Sequence, residues 1–194
     1  MKLYLKGVRC ETAKCPLEKQ WRSKPPGMQF RRHRRASEYA VRMREKQKLR
    51  WYYGVLERQF RRFFAEASRG KGSTGERLLV LMERRLDNVL YRIGFAPSRA
   101  AARQLVSHGH VLLNGRTTSV GSQKVSIGDV VEIRDRKSSR DLVQSWLADE
   151  EGRVVAQWLD VDPQRFRGVV KAFPAREDVS VQLNEQLIVE FCSR

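Results

Sequence analysis

The stretch that decides the fold begins Arg85-Leu86-Asp87-Asn88-Val89-Leu90-Tyr91-Arg92-Ile93-Gly94-Phe95. It runs through Ser98-Arg99 and Ala102-Arg103-Gln104-Leu105-Val106 to His108-Gly109-His110-Val111 and Asn114-Gly115. Leu86, Val89 and Leu90 continue an apolar helical spacing carried from Glu76 by Leu78, Leu79, Leu81 and Met82, which predicts one helix to about Tyr91. A compact second helix opens at Pro97-Ser98 and closes near His108-Gly109, where glycine suits a left-handed cap. Val111-Leu112-Leu113 before Asn114-Gly115 reads as a strand entering a tight hairpin turn. Val125 with Ile127, then Val130-Val131 with Ile133, predict two further strands around Gly128-Asp129. On the second helix Ser98, Arg99, Arg103 and His108 alternate with Ala100, Ala101, Leu105 and Val106, so a basic face is expected to point outward.

Upstream, residues 1–30 are irregular, broken by Pro16, Pro25, Pro26 and Gly27, with Cys10 and Cys15 in a C-x4-C pair. Arg31-Arg32-His33-Arg34-Arg35 is too densely charged to be buried. Ser37 with Glu38 offers helix-start chemistry for a helix over 38–53, and a second over 55–68 carries Leu56, Phe60, Phe63, Phe64 and Ala67. The spacing of the three phenylalanines favours a core role over base stacking. Residues 69–75, with three glycines, separate this pair from the next helix. Downstream, 137–152 is polar and partly helical, and the tail reads β-like, most clearly at Leu187-Ile188-Val189. The fold class is α+β.

The chain has 194 residues and a formal charge of +17, of which residues 31–62 carry +9 and residues 141–194 carry −4. So much like charge in one window implies a polyanionic partner, and the acidic end is expected to face away from it. No apolar run approaches the ~20 residues that cross a bilayer, and residues 1–20 lack a secretory apolar core. Three cysteines without framework spacing argue against a disulfide scaffold and fit a reducing compartment, with Cys192 a small buried hydrophobe. A rigid basic platform suits RNA, which shows proteins chiefly its shape, phosphates and 2′-hydroxyls.

The run from Arg85 to Asn114-Gly115 closely resembles the small ribosomal subunit protein S-four family, which gives its name to a widespread RNA-binding domain. Arg44-Glu45-Lys46-Gln47-Lys48-Leu49-Arg50, Tyr53-Gly54-Val55 and Glu57-Arg58-Gln59-Phe60-Arg61 resemble the family's helical region, and residues 184–194 resemble its carboxyl end. The resemblance implies a mainly helical domain with an inserted RNA-binding domain: two short helices plus a small antiparallel sheet, an alpha-L motif. The expected divisions are a basic arm at 1–36, a helical domain at 37–83 rejoined by 180–194, and an RNA-binding domain at 84–179 with its core motif at 84–134.

The same resemblance implies a primary binder of small-subunit rRNA at a multi-helix junction of the 5′ domain, acting early in assembly. It implies a place beside the channel through which mRNA enters and a contribution to translational accuracy through ribosomal protein S-five. The expected RNA-contacting residues are Arg31, Arg32, Arg34, Arg35, Arg44, Lys46, Lys48, Arg50, Arg58, Arg61, Arg84, Arg85, Asn88, Arg92, Ser98, Arg99, Arg103, His108, Asn114 and Lys124. Some of these arginines are equally suited to pair with Glu83 or Asp87, and Asn88 and Tyr91 to pack. Of His108 and His110, one is expected to contact RNA backbone and the other to cap or pack.

The chain departs from the family at Pro25-Pro26-Gly27-Met28-Gln29-Phe30, where a Gln-His-Gly run usually follows the prolines, and at Gly121-Ser122 after the hairpin, where many members have Pro-Ser. Zinc-bearing members carry a Cys-x-x-Cys pair upstream of two cysteines resembling Cys10 and Cys15; that first pair is absent here. Two thiolates do not complete a tetrahedral site, so no cofactor is expected and zinc only with further upstream cysteines. The rival reading is an RNA-modifying enzyme that uses the block as a docking module. Such enzymes append a catalytic domain of some two hundred residues, whereas about 60 residues follow residue 134, without a phosphate loop, acid/base pair or nucleophile elbow. No enzymatic activity, small-molecule substrate or membrane partner is expected, and the expected home is the cytoplasmic small ribosomal subunit.

Overall fold

The computed structural model describes residues 2–19, 27, 36–149 and 155–193. Seven α-helices and five short strands follow a 3-10 turn at Gly7–Cys10: α1 Glu38–Tyr53, α2 Glu57–Ser68, α3 Thr74–Glu83, α4 Leu86–Ile93, α5 Arg99–Ser107, β1 Val111–Leu113, β2 Arg116–Thr117, β3 Val130–Ile133, α6 Lys137–Asp149, β4 Leu159–Asp162, β5 Arg167–Val170 and α7 Glu185–Cys192. The chain is α+β. Local chemistry sets many of the boundaries. Ser37, Ser73 and Ser98 each accept a backbone N–H three residues on, at 3.2, 3.4 and 3.2 Å, and so cap α1, α3 and α5. Gly54 closes α1 in the left-handed region at φ 62°.

The single helix expected from Glu76 to Tyr91 is two helices broken at Arg84-Arg85. The loop 121–125 takes over their backbone partners: Leu86 N–H donates to Gln123 O at 2.8 Å, Asp87 N–H to Gly121 O at 3.0 Å, and Val125 N–H to Arg84 O at 2.9 Å. Asn88 Nδ2 meanwhile donates to the carbonyl of Glu83 at 3.0 Å, satisfying the group a continuous helix would have bonded. The expected strand at Val125-Ile127 reduces to one bridge, Arg85 with Lys124.

The sheet is antiparallel throughout, in the order β2-β1-β3-β5-β4. Asn114 and Gly115, at φ 51° and 76°, make the turn between β1 and β2. The Asn114 side chain is spent on the fold, donating to Asp129 Oδ1 and accepting from Val130 N–H, both at 2.9 Å. Strand β5 crosses close to α4: a Cβ at Gly168 would lie 2.6 Å from Ile93 Cδ1.

The buried apolar side chains fall into two clusters. One joins α4, α5 and the sheet, from Leu86 and Phe95 to Val131, Trp158 and Val170. The other joins α1, α2 and α3 to Val179, Val181 and Ile188. Leu187-Ile188-Val189 is therefore not a strand but the middle of α7, which packs on α1 and α3. Asn184 caps it by accepting Leu187 N–H at 3.3 Å, and Arg42 ties it to α1 through Glu190 at 3.0 Å. A three-residue apolar run is equally compatible with strand and helix, and the cap with a waiting groove decides.

Candidate nucleic-acid interface

Where the two clusters meet, the structure buries charge. Glu83 has no solvent exposure. It accepts from Tyr53 Oη at 2.6 Å, Asn88 Nδ2 at 2.7 Å, and Arg92 Nε and Nη2 at 2.9 and 2.8 Å. Burial alone would raise its pKa, but the hydrogen bonds and charge of Arg92, with the charge of Arg99, hold it below the ordinary 4.5. The same enclosure, then the Glu83 charge, pushes the Tyr53 phenol well above its ordinary 10.0.

Arg99, 9% exposed, donates from Nε to Asn88 Oδ1 at 2.7 Å. Its guanidinium lies over the rings of Tyr52, Tyr91 and Tyr53 at 3.9, 4.3 and 5.2 Å. Beside it, Asp87 accepts from Arg85 at 3.0 and 2.6 Å and from Arg103 at 2.9 and 2.7 Å. Arg103 then crosses to the other cluster, donating to the carbonyls of Gly54 at 2.8 Å and Tyr53 at 3.2 Å, where it serves the open carboxyl end of α1.

The expected outward basic face of α5 is thus corrected. Arg85, Asn88 and Arg99 are buried, and Arg103 and Arg92 are engaged with carboxylates, because Asp87 and Glu83 lie inside the junction. Arg84, also half-buried, donates to Val125 O at 2.9 Å and stacks on Phe173 at 4.3 Å. Lys46 is buried and, with Arg50 and Arg61, converges on Glu57 at 3.0, 2.8 and 3.2 Å. Burial opposes ionisation of Glu57, yet the hydrogen bonds from Lys46 and Arg61 win and lower its pKa. Lys48 pairs with Glu45 at 2.8 Å, and Lys124 with Glu66 at 2.6 Å across an exposed seam.

Ser98 caps α5, and exposed His108 ends it. His110 packs, its Nδ1 2.8 Å from buried Ser139 Oγ. Arg31, Arg32, Arg34 and Arg35 lie outside the described residues.

Of the expected contacts, Arg44 and Arg58 are exposed and form no ion pair among the described residues. Sequence reasoning passed over others of that kind: Arg62, Arg69, Lys71, Arg116, Arg134, Arg136 and Lys137. The available signal was position, since Arg62 stands off the Phe60-Phe63-Ala67 stripe that α2 buries. Cys10 is half-buried and Cys15 buried, both as free thiols. Among the described residues no group of three or more His, Cys, Asp or Glu is placed to hold a metal. Cys192 is half-buried rather than enclosed, with its thiol pKa raised by burial. No helix among the described residues is long and apolar enough to cross a membrane.

The chain matches two family models in succession: the ribosomal protein S4/S9 N-terminal domain over residues 1–83 and the S4 domain over residues 84–131. It is 52% identical to the small ribosomal subunit protein uS4A of Symbiobacterium thermophilum over 194 residues, covering 100% of this chain and 92% of that protein. The chain belongs to the small ribosomal subunit protein uS4 family. The uS4 of Thermus thermophilus is 49% identical over 195 residues (100% and 92%), and that of Geotalea uraniireducens 48% over 192 residues (99% and 91%). As a member of the uS4 family the chain is a structural ribosomal protein with an RNA-binding S4 domain and not an enzyme, which closes the RNA-modifying alternative. The S4 domain match begins at Arg84, the residue at which the helix breaks.

Proposed function

We propose that this chain is a primary binder of small-subunit rRNA in the cytoplasmic ribosome. It docks at a multi-helix junction of the 5′ domain, nucleates assembly of the subunit body, lies along the channel through which mRNA enters, and contributes to accuracy through contact with ribosomal protein S-five. The observation that carries the reading is the division of the cations. Arg85, Arg92, Arg99 and Arg103 are consumed inside the junction of α1, α3, α4 and α5, while Arg44, Arg58, Arg62, Arg116 and Arg134 stay exposed and unpaired among the described residues. A platform held rigid by buried charge presents free charge in a fixed pattern, which is what recognition of a folded RNA by shape and phosphate position requires.

The division by domain follows the same reading: residues 37–83 with 180–194 carry one part of the platform and 84–179 the other. Cys10 and Cys15 act as free thiols, and no cofactor takes part. Elemental analysis giving about one zinc per chain would overturn that last point.

The test of the whole is chemical footprinting of the full chain on naked small-subunit rRNA, with binding measured across a salt series. Protection clustered at one junction of the 5′ domain, with log K falling steeply against log salt, is the expected result. Protection scattered over unrelated duplexes would sink the reading.

A further inference from the structure

Trp51 is 61% exposed on the last turn of α1, and Leu56, just beyond the Gly54 turn, is 71% exposed. The other described tryptophans are tucked in: Trp158 is 3% exposed and Trp146 half-buried against the sheet cluster. Single exposed apolar side chains are ordinary, so exposure alone decides nothing. Two further observations bear on this one. Arg44 and Lys48 precede Trp51 by seven and three residues, so all three fall along one side of α1, with Arg44 exposed and free of ion pairs among the described residues. The turn that follows Trp51 is where Arg103 of α5 donates to the carbonyls of Tyr53 and Gly54. Trp51 therefore lies on the turn of α1 next to the point where α5 is tied to it, within reach of a strand lying across both.

We infer that Trp51 is a stacking contact for an unpaired nucleobase of the rRNA, with Arg44 holding the adjacent phosphate. The inference rests on the RNA-binding reading above and adds to it a contact that is not electrostatic. Every base offers a π-face for an exposed indole, and the unpaired Arg44 on the same side of α1 suits a phosphate of the same strand.

The experiment compares the full chain with Trp51→Ala, Trp51→Phe and Arg44→Ala in binding a transcript of the rRNA 5′ domain across a salt series, with intrinsic tryptophan fluorescence followed in parallel. Trp51→Ala is expected to weaken binding by about 5- to 150-fold at every salt concentration without changing the slope of log K against log salt. Trp51→Phe should restore most of the loss. Arg44→Ala should lower the slope by about one instead. RNA should quench the fluorescence of the unaltered protein and quench Trp51→Phe markedly less. Affinity within twofold of the parent for Trp51→Ala, or equal quenching in Trp51→Phe, would overturn the assignment, including the case in which the variant impairs only joining of neighbouring proteins. Failure of the unaltered chain to bind the transcript would instead overturn the RNA-binding reading and this contact with it.

Discussion

The arginines of α4 and α5 and three of those on α1 and α2 look interchangeable in the sequence, yet they have opposite fates. Arg92, Arg99 and Arg103 end in a junction floored by Glu83 and Asp87, while Arg44, Arg58 and Arg62 end in solvent. The difference lies in the carboxylates. A buried acid on one element draws in every cation within reach, because leaving it unpaired in a low-dielectric interior would cost several kcal/mol. Arginine density therefore marks an RNA-binding protein without saying which arginines bind RNA.

The sharpest way to break the comparison is to remove a carboxylate from the junction. Glu83→Ala leaves Arg92 and Asn88 facing an enclosed gap, and Asp87→Ala strands Arg85, which is 2% exposed. Each should cost about 3–5 kcal/mol in urea unfolding. Loss below ~1 kcal/mol would mean the network is incidental.

A smaller effect is expected from Gly168→Ala, where the new methyl meets Ile93 Cδ1 at 2.6 Å. Because that clash separates α4 from β5 without touching any charge, it should cost about 1–3 kcal/mol and leave the salt dependence of RNA binding unchanged.

Acid tests the same junction without mutation. The pKa of Glu83 is lowered in the folded protein, so its contribution is present above about pH 4.5 and is lost as pH falls through the lower folded value. Tyr53 works in the other direction: its raised pKa gives stability that is present below pH 10 and declines as pH rises above it. Unfolding midpoints measured from pH 3 to 11 should fall at both ends, and Tyr53→Phe should flatten the alkaline limb.

The finest contrast is between Arg58→Ala and Arg99→Ala. The first should change stability by less than ~0.5 kcal/mol and lower the salt slope by about one. The second should leave the slope intact while costing about 1–3 kcal/mol in stability, since Asn88 Oδ1 loses its donor. Equal slopes for the two variants would dissolve the distinction on which the proposed function stands.

Much of the fold was legible because local chemistry wrote it. Ser37 and Ser98 cap helices where a serine precedes a helical pattern, and Asn114-Gly115 turns the hairpin because both residues accept positive φ. The misreadings share one cause. The break at Arg84-Arg85 and the lost strand at Val125-Ile127 are two sides of one pairing between segments some forty residues apart. Helix α7 carries an apolar triplet too short to declare its period, whereas β4 and β5 are strands in the tail that was read as β-like. The surface cations were visible as residues but not as a set, since being unpaired is a property of neighbours.

By itself the sequence determined the family, the α+β class, the caps and turns, and the excess of positive charge seeking a polyanion. Each of these depends on residue types at short range or on a simple sum over the chain. Only the tertiary structure decided where that charge is free. Whether an arginine reaches solvent or a buried carboxylate is settled when distant elements pack together, and the Coulomb and desolvation energies that enforce the choice exist only once water has been excluded between them.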